Sequence, residues 1–143
     1  MEERRQCIFC KIVRGDARAN IVCQDELTLA FMDIFPVAEG HTLVIPRDHC
    51  RDIFDAKEDA LRAVIATSRR VAHAIRELIA PDGLGVFQLN GAAAGQTVFH
   101  YHMHLIPRMM GTPLEIHSRT PGDPAVLAET ATRLARLLDG GSS

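Results

Sequence analysis

From Gly83 to Pro107 the chain carries no Asp, Glu, Lys or Arg. So long a stretch without charge belongs inside a fold, and its turn formers divide it into a central buried hairpin. It is not purely apolar, however. Gln88, Asn90, Gln96, Thr97, His100, His102 and His104 all lie within it. An imidazole removed from water needs a polar partner, so three of them in a buried strand call for a use. Their spacing of two predicts a strand over Val98–Ile106. All three rings would share one face, roughly 6.5–7 Å apart, with Tyr101, Met103 and Leu105 on the other.

The rest of the chain supplies a frame for that hairpin. At 143 residues it suits one domain, 1–143, with a loose segment at Arg119–Pro124 and a flexible tail over 140–143. Cys7–Val13 reads as a short helical turn. Asn20–Gln24, Leu27–Met32, Thr42–Ile45 and Gly85–Leu89 read as further strands. After Asp55 the apolar residues Leu61, Val64, Ile65, Val71, Ala72, Ile75, Leu78 and Ile79 follow helical spacing, and Pro81 ends the run. Asp55 and Glu58 fit a capping pair at its start. A second helix opens at Asp123-Pro124 and stops at Gly140. Hairpin-length links between strands predict an α+β fold: a five-stranded antiparallel sheet with two main helices on one side.

Composition narrows the function. The net charge is −2, which argues against a broad nucleic-acid surface. No stretch has the apolar length of a membrane span, and the charged N-terminus lacks a signal-peptide core, which together predict a cytoplasmic protein. In that compartment thiols stay reduced. The four cysteines are then ligands, redox groups or core residues before they are disulfides.

Aligned imidazoles suit a metal platform or a nucleophile with neighbouring proton-transfer groups. A catalytic metal site wants an acid or water partner, and no carboxylate lies on this strand. The preceding Asn90-Gly91-Ala-Ala-Ala-Gly95-Gln96-Thr97 offers uncharged donors to phosphate oxygens and lacks the ending of a Walker loop. By itself it is also an ordinary hairpin connection.

The run Gly95-Gln-Thr-Val-Phe-His100-Tyr-His102-Met-His104-Leu-Ile-Pro-Arg108 resembles the signature of the histidine triad (HIT) superfamily. The likeness extends to Cys7–Ile12, Ala30–Ile34, Gly40–Pro46 and Gln88–Asn90, and is closest to the Hint branch and its bacterial relatives. It implies a HIT-like fold and a nucleotide phosphoramidase or hydrolase acting at the α-phosphate of a purine (AMP-type) nucleotide. His102 would be the nucleophile, forming a nucleotidyl-histidine. His100 and His104 would orient it and handle protons, and His41 would support the triad through hydrogen bonds. Asp33 would hold the ribose, and Phe31 and Ile34 would flank the base. Asn90, Gly95, Gln96 and Thr97 would meet the phosphate and leaving group. The resemblance also implies a homodimer and no metal in the catalytic step. Two alternatives use the same residues: a dinucleoside polyphosphate hydrolase, and a nucleotide-binding regulatory protein with weak catalysis.

Cys7-x-x-Cys10 is ambiguous alone, since a zinc site needs two more ligands. In bacterial members of the resembled family such a pair comes with two histidines, which here are His49 and His100. That implies a structural zinc and would take His100 out of proton transfer. Bare thiols and a redox pair are the other readings. His73, His117, Cys23 and Cys50 carry no firm assignment.

Overall fold

A computed structural model describes residues 2–141. Its helices are α1 (Glu2–Gln6), α2 (Ile8–Arg14), α3 (Glu58–Ile79) and α4 (Pro124–Gly141). Its strands are β1 (Ile21–Gln24), β2 (Thr28–Met32), β3 (Thr42–Pro46), β4 (Gly83–Phe87) and β5 (Met103–Arg108). The strands form one sheet in the order β1-β2-β3-β5-β4, and every neighbouring pair is antiparallel. The five-stranded antiparallel α+β arrangement is therefore the one the sequence predicts.

The period of two along each strand gives the sheet two different faces. Ala30, Met32, Val44 and Leu105 meet Val64, Val71 and Ile75 of α3 and Leu127, Ala131 and Leu134 of α4 in one core. Leu29, Phe31, Leu43 and Ile45 face the other way and meet Phe9 and Ile12 of α2. The two long helices thus share one side, as expected. The short α2 covers the opposite side, and the site lies there.

Several boundaries differ from expectation. The strand of histidines begins at Met103, not Val98, because Tyr101 sends its N–H to the Cys50 carbonyl at 2.7 Å and leaves the ladder. His100 and His102 therefore sit in a bend before β5, and only His104 is on the strand. β4 ends at Phe87 rather than Leu89, where the side-chain amides of Gln88 and Asn90 pair with each other. The Asp55–Glu58 capping pair does not form: Lys57 is the N-cap, and Asp55 accepts the Arg51 N–H at 2.8 Å. Asp123 does cap α4, accepting the Ala125 N–H at 2.9 Å. Gly140 does not stop that helix, which runs to Gly141. Of the predicted tail, Ser142 and Ser143 lie outside the described residues. Among the described residues, no helix is long and apolar enough to cross a membrane.

Candidate active site

Pairing of β3 with β5 sets Leu43 opposite His104, and pairing of β4 with β5 sets Phe87 opposite the same residue. The Phe87 ring stacks on His104 with centroids 4.8 Å apart. His41 stands just before β3. Its Nδ1 accepts the Val37 N–H at 3.1 Å, so its proton is on Nε2 and is donated to His104 Nδ1 at 3.0 Å. His104 must then carry its own proton on Nε2. His102 is fixed in the opposite sense. Its Nδ1–H donates to the His100 carbonyl at 2.7 Å, which leaves the lone pair on Nε2. Neither His102 Nε2 nor His104 Nε2 is a buried atom lacking a partner, and both residues line one cavity.

Burial sets the ionisation of these rings. It pushes His41 down to about 4 and His104 to about 3, with neighbouring positive groups adding to the effect. His102 is also lowered, chiefly by burial, against the opposing pull of the His100 carbonyl. All three are neutral at pH 7. Asp33 is raised by burial, while the Phe35 N–H, bound to its Oδ1 at 2.8 Å, pulls the other way. Its Oδ2 lies 3.5 Å from His41 Nε2. With His41 neutral this is a polar contact rather than an ion pair.

The cavity encloses about 520 Å³. Ile8, Phe9 and Ile12 of α2, with Phe31 and Leu43 of the sheet, make an apolar wall. His41, His102, His104, Asp33 and Thr97 make a polar end, and Ile116 to Arg119 close over it from the connection between β5 and α4. Ile34 is half-exposed at the mouth, and Arg18 stands at the rim.

The structure thus gathers seven of the predicted residues around one cavity: Phe31, Asp33, Ile34, His41, Thr97, His102 and His104. Four others lie outside its lining. Gln96 is buried, accepts the Gly91 N–H at 2.7 Å and donates to the carbonyls of Arg51 at 2.7 Å and Val98 at 3.1 Å. Asn90 accepts the Ile53 N–H at 2.8 Å and pairs with Gln88. Both amides are committed to shaping the loop that presents Thr97. Gly95, at φ +103°, accepts the His117 Nε2–H on its carbonyl at 2.7 Å. His100 turns away from the cavity altogether. The lining residues to which the sequence prediction assigned no site role include Ile8, Phe9, Ile12, Arg18 and residues 116–119. The apolar positions of α2 look like those of any core helix, and nothing local to 116–119 signals a cavity.

His100 belongs to a second cluster. Its Nε2–H donates to the Pro46 carbonyl at 2.8 Å, which directs the Nδ1 lone pair at Cys7 Sγ, 3.4 Å away, and Cys10 Sγ, 3.5 Å away. His49 Nδ1 is 3.3 Å from Cys10 Sγ. The four ligand atoms all lie within 4.8 Å of one another. A tetrahedral zinc with ordinary bond lengths needs ligand separations of about 3.3–3.8 Å, so the donor set fits. Burial and the neighbouring Cys7 push the Cys10 thiol up to about 11, a cost that a bound cation would reverse. His49 Nε2 is buried without a partner, 4.0 Å from a carboxylate oxygen of Glu3. Asp33, His41 and His104 also bring ligand atoms within 4.8 Å, but there the His41–His104 hydrogen bond already occupies the lone pair a cation would need.

Comparison with known proteins follows the same lines. A family model described as the HIT domain matches residues 14–111. The Bacillus subtilis protein called Protein hit is 46% identical over 102 residues, covering 71% of this chain and 70% of that protein. A crystal structure of a zinc-bound histidine triad family protein from Mycobacterium smegmatis superposes with a TM-score of 0.85 at 37% identity, covering 97% of each chain. A hypothetical histidine triad nucleotide-binding protein from Sulfolobus tokodaii superposes with a TM-score of 0.85 at 30% identity, covering 94% of this chain and 93% of that one.

Proposed function

This chain belongs to the HIT domain family, and on that premise we propose that it is a nucleotide phosphoramidase or hydrolase of purine (AMP-type) nucleotides. The observation that carries the reading is the fixed tautomer of His102. A ring that donates Nδ1–H to a carbonyl offers a lone pair at Nε2, and this one opens into a cavity large enough for a nucleotide. Because the imidazole is neutral at pH 7, no separate base has to activate it.

In the proposed reaction His102 Nε2 attacks the α-phosphorus and the bond to the leaving atom breaks. The nucleotidyl-histidine so formed is hydrolysed by water, which returns His102 and releases the nucleoside monophosphate. His104 Nε2–H and the Thr97 hydroxyl donate to phosphate oxygens as charge builds on them. His41 holds His104 in the tautomer that makes this donation possible. Gly95, Gln96 and Asn90 serve by holding the Thr97 loop in shape. Asp33 takes the ribose hydroxyls. Phe31 and Ile34, with Phe9 and Ile12 added from α2, flank the base.

Cys7, Cys10, His49 and His100 are the residues that would hold a structural zinc. Its chemistry would be to bind two thiolates and two neutral imidazoles in one closed knot. The ligand spacing and the zinc-bound Mycobacterium relative support this assignment. His100 then acts through its backbone carbonyl, which orients His102, rather than by carrying a proton. The same reading includes a cytoplasmic setting, consistent with four cysteines of which none is in a disulfide. It also includes a homodimer, favoured by the outer position of β4 and the exposure of Val86 on it.

One observation favours a second substrate class. Arg18 and Arg119 reach the cavity and have no hydrogen bond or ion pair among the described residues. Two unpartnered cations suit a leaving group that is itself anionic, as in a dinucleoside polyphosphate. Turnover of an adenosine phosphoramidate and of a dinucleoside polyphosphate by wild type and His102→Ala tests both. His102→Ala is expected to lose at least about 10³-fold in kcat on either substrate. Retained turnover would exclude the nucleophile assignment, and the larger wild-type kcat/KM would identify the leaving-group class.

A further inference from the structure

Four imidazoles line the cavity, and three of them are largely buried: His41, His102 and His104 are 1%, 6% and 4% exposed. His102 already gives its Nδ1–H to the His100 carbonyl, and burial holds His41 and His104 below the usual histidine range, so none carries a spare proton at neutral pH. Yet an amine or alkoxide leaving a phosphorus atom has to receive one. The fourth imidazole is His117, exposed, on the connection between β5 and α4.

Its placement is held from several sides. The ring Nε2–H donates to the Gly95 carbonyl at 2.7 Å, which ties the connection to the loop carrying Thr97. Arg108 donates to the Glu115 carbonyl two residues before it. The Gly122 N–H donates to the Ile34 carbonyl at 2.9 Å, next to Asp33. The segment is therefore fastened across the cavity mouth on both sides of His117. Gly95 suits this closeness, because a Cβ there would stand 3.3 Å from the His117 ring nitrogen. Since Nε2 keeps its proton for Gly95, Nδ1 is the atom that can gain and lose one. The titratable and charged groups that line the cavity with His117 are Asp33, His41, His102 and His104, with Arg119 two residues on and Arg18 at the rim.

We propose that His117 is a further catalytic residue, the acid that protonates the leaving group and the base that then activates water. This rests on the nucleotidyl-histidine reading given above. In the first half, the bond from phosphorus to the leaving atom breaks as the bond from phosphorus to His102 Nε2 forms. The leaving atom keeps the electron pair and takes the proton from His117 Nδ1. In the second half, water oxygen bonds to phosphorus, the phosphorus–Nε2 bond breaks and its pair returns to His102. The proton from water goes to His117 Nδ1. The sum is substrate plus water giving nucleoside monophosphate plus protonated leaving group, with both histidines restored.

The test is the first-turnover rate of leaving-group release in wild type, His117→Gln and His102→Ala. Glutamine keeps a side-chain N–H for the Gly95 carbonyl but cannot ionise. Two adenosine 5′-phosphate derivatives serve as probes, an alkylamine phosphoramidate and a p-nitrophenyl ester. The amine must be protonated to leave, whereas nitrophenolate departs without a proton. His117→Gln is expected to slow amine release by about 10²–10⁴-fold and nitrophenolate release by less than about tenfold. Equal losses with both probes would mean that His117 only fastens the segment, and no loss with either would mean that it takes no part. Both results overturn the proposal. Release by His102→Ala at the wild-type rate would instead overturn the underlying nucleophile assignment, whatever His117→Gln does.

Discussion

A histidine's chemistry in this protein is decided by which of its nitrogens meets a backbone group. His102 meets the His100 carbonyl through Nδ1, His41 meets the Val37 N–H through Nδ1, and His100 meets the Pro46 carbonyl through Nε2. Those three contacts leave, in order, a free lone pair facing the cavity, a donor toward His104 and a lone pair aimed at two thiols. The same burial makes stability depend on pH. His41 and His104 are held at about 4 and about 3, below the ordinary value near 6.5. Between those limits the unfolded chain binds more protons than the folded one, so stability falls as pH drops from about 6.5 toward about 4. Urea unfolding is expected to give a lower midpoint at pH 5 than at pH 7. His41→Gln, which can still donate to His104, should shrink that difference.

Among the elements, α2 serves both clusters at once. Cys7 is its N-cap, accepting the Cys10 N–H at 3.3 Å, so the thiols are brought together by the start of the helix. Between those two cysteines Phe9 packs edge-on against His102, with ring centroids 5.2 Å apart. A metal held by Cys7 and Cys10 would therefore steady the apolar wall of the cavity as well as the N-terminus. Metal analysis of protein purified without chelator is expected to find about one zinc per chain. Removing that zinc with a chelator should lower Tm and expose Cys7 and Cys10 to alkylation. Helix α3 supplies a contrast within one apolar stripe. Ile75 is fully buried against the sheet and α4, whereas Ile65 is 51% exposed. Ile75→Ala should cost about 2–5 kcal/mol in chemical denaturation. Ile65→Ala should cost within about 0.5 kcal/mol. The sequence pattern alone counts both residues as core.

At the level of the whole molecule, one sheet separates two tasks. The face toward α3 and α4 is continuous core, and the face toward α2 is partly core and partly cavity. Most of this frame was legible in the sequence, because alternation and helical spacing are local signals that burial on either face obeys. The five strands, both long helices, the Asp123 cap and the reactive stretch all have such signals. What was not legible depends on distant partners. The break at Tyr101 comes from the Cys50 carbonyl, and it moves His100 and His102 off the strand. The commitment of Gln96 comes from the Arg51 carbonyl, and the reach of residues 116–119 comes from fastening to Gly95 and Ile34. The sequence by itself determined that imidazoles would gather in a charge-free stretch, because residue type suffices for that. The expected central buried hairpin is not formed, since β4 lies at the sheet edge with Val86 44% exposed. Only the tertiary structure decided which nitrogen of each ring is free. His100 and His104 take partners 54 and 63 residues away, and His102 and His41 meet backbone groups two and four residues away only because the chain turns there, so no periodic pattern encodes the choice.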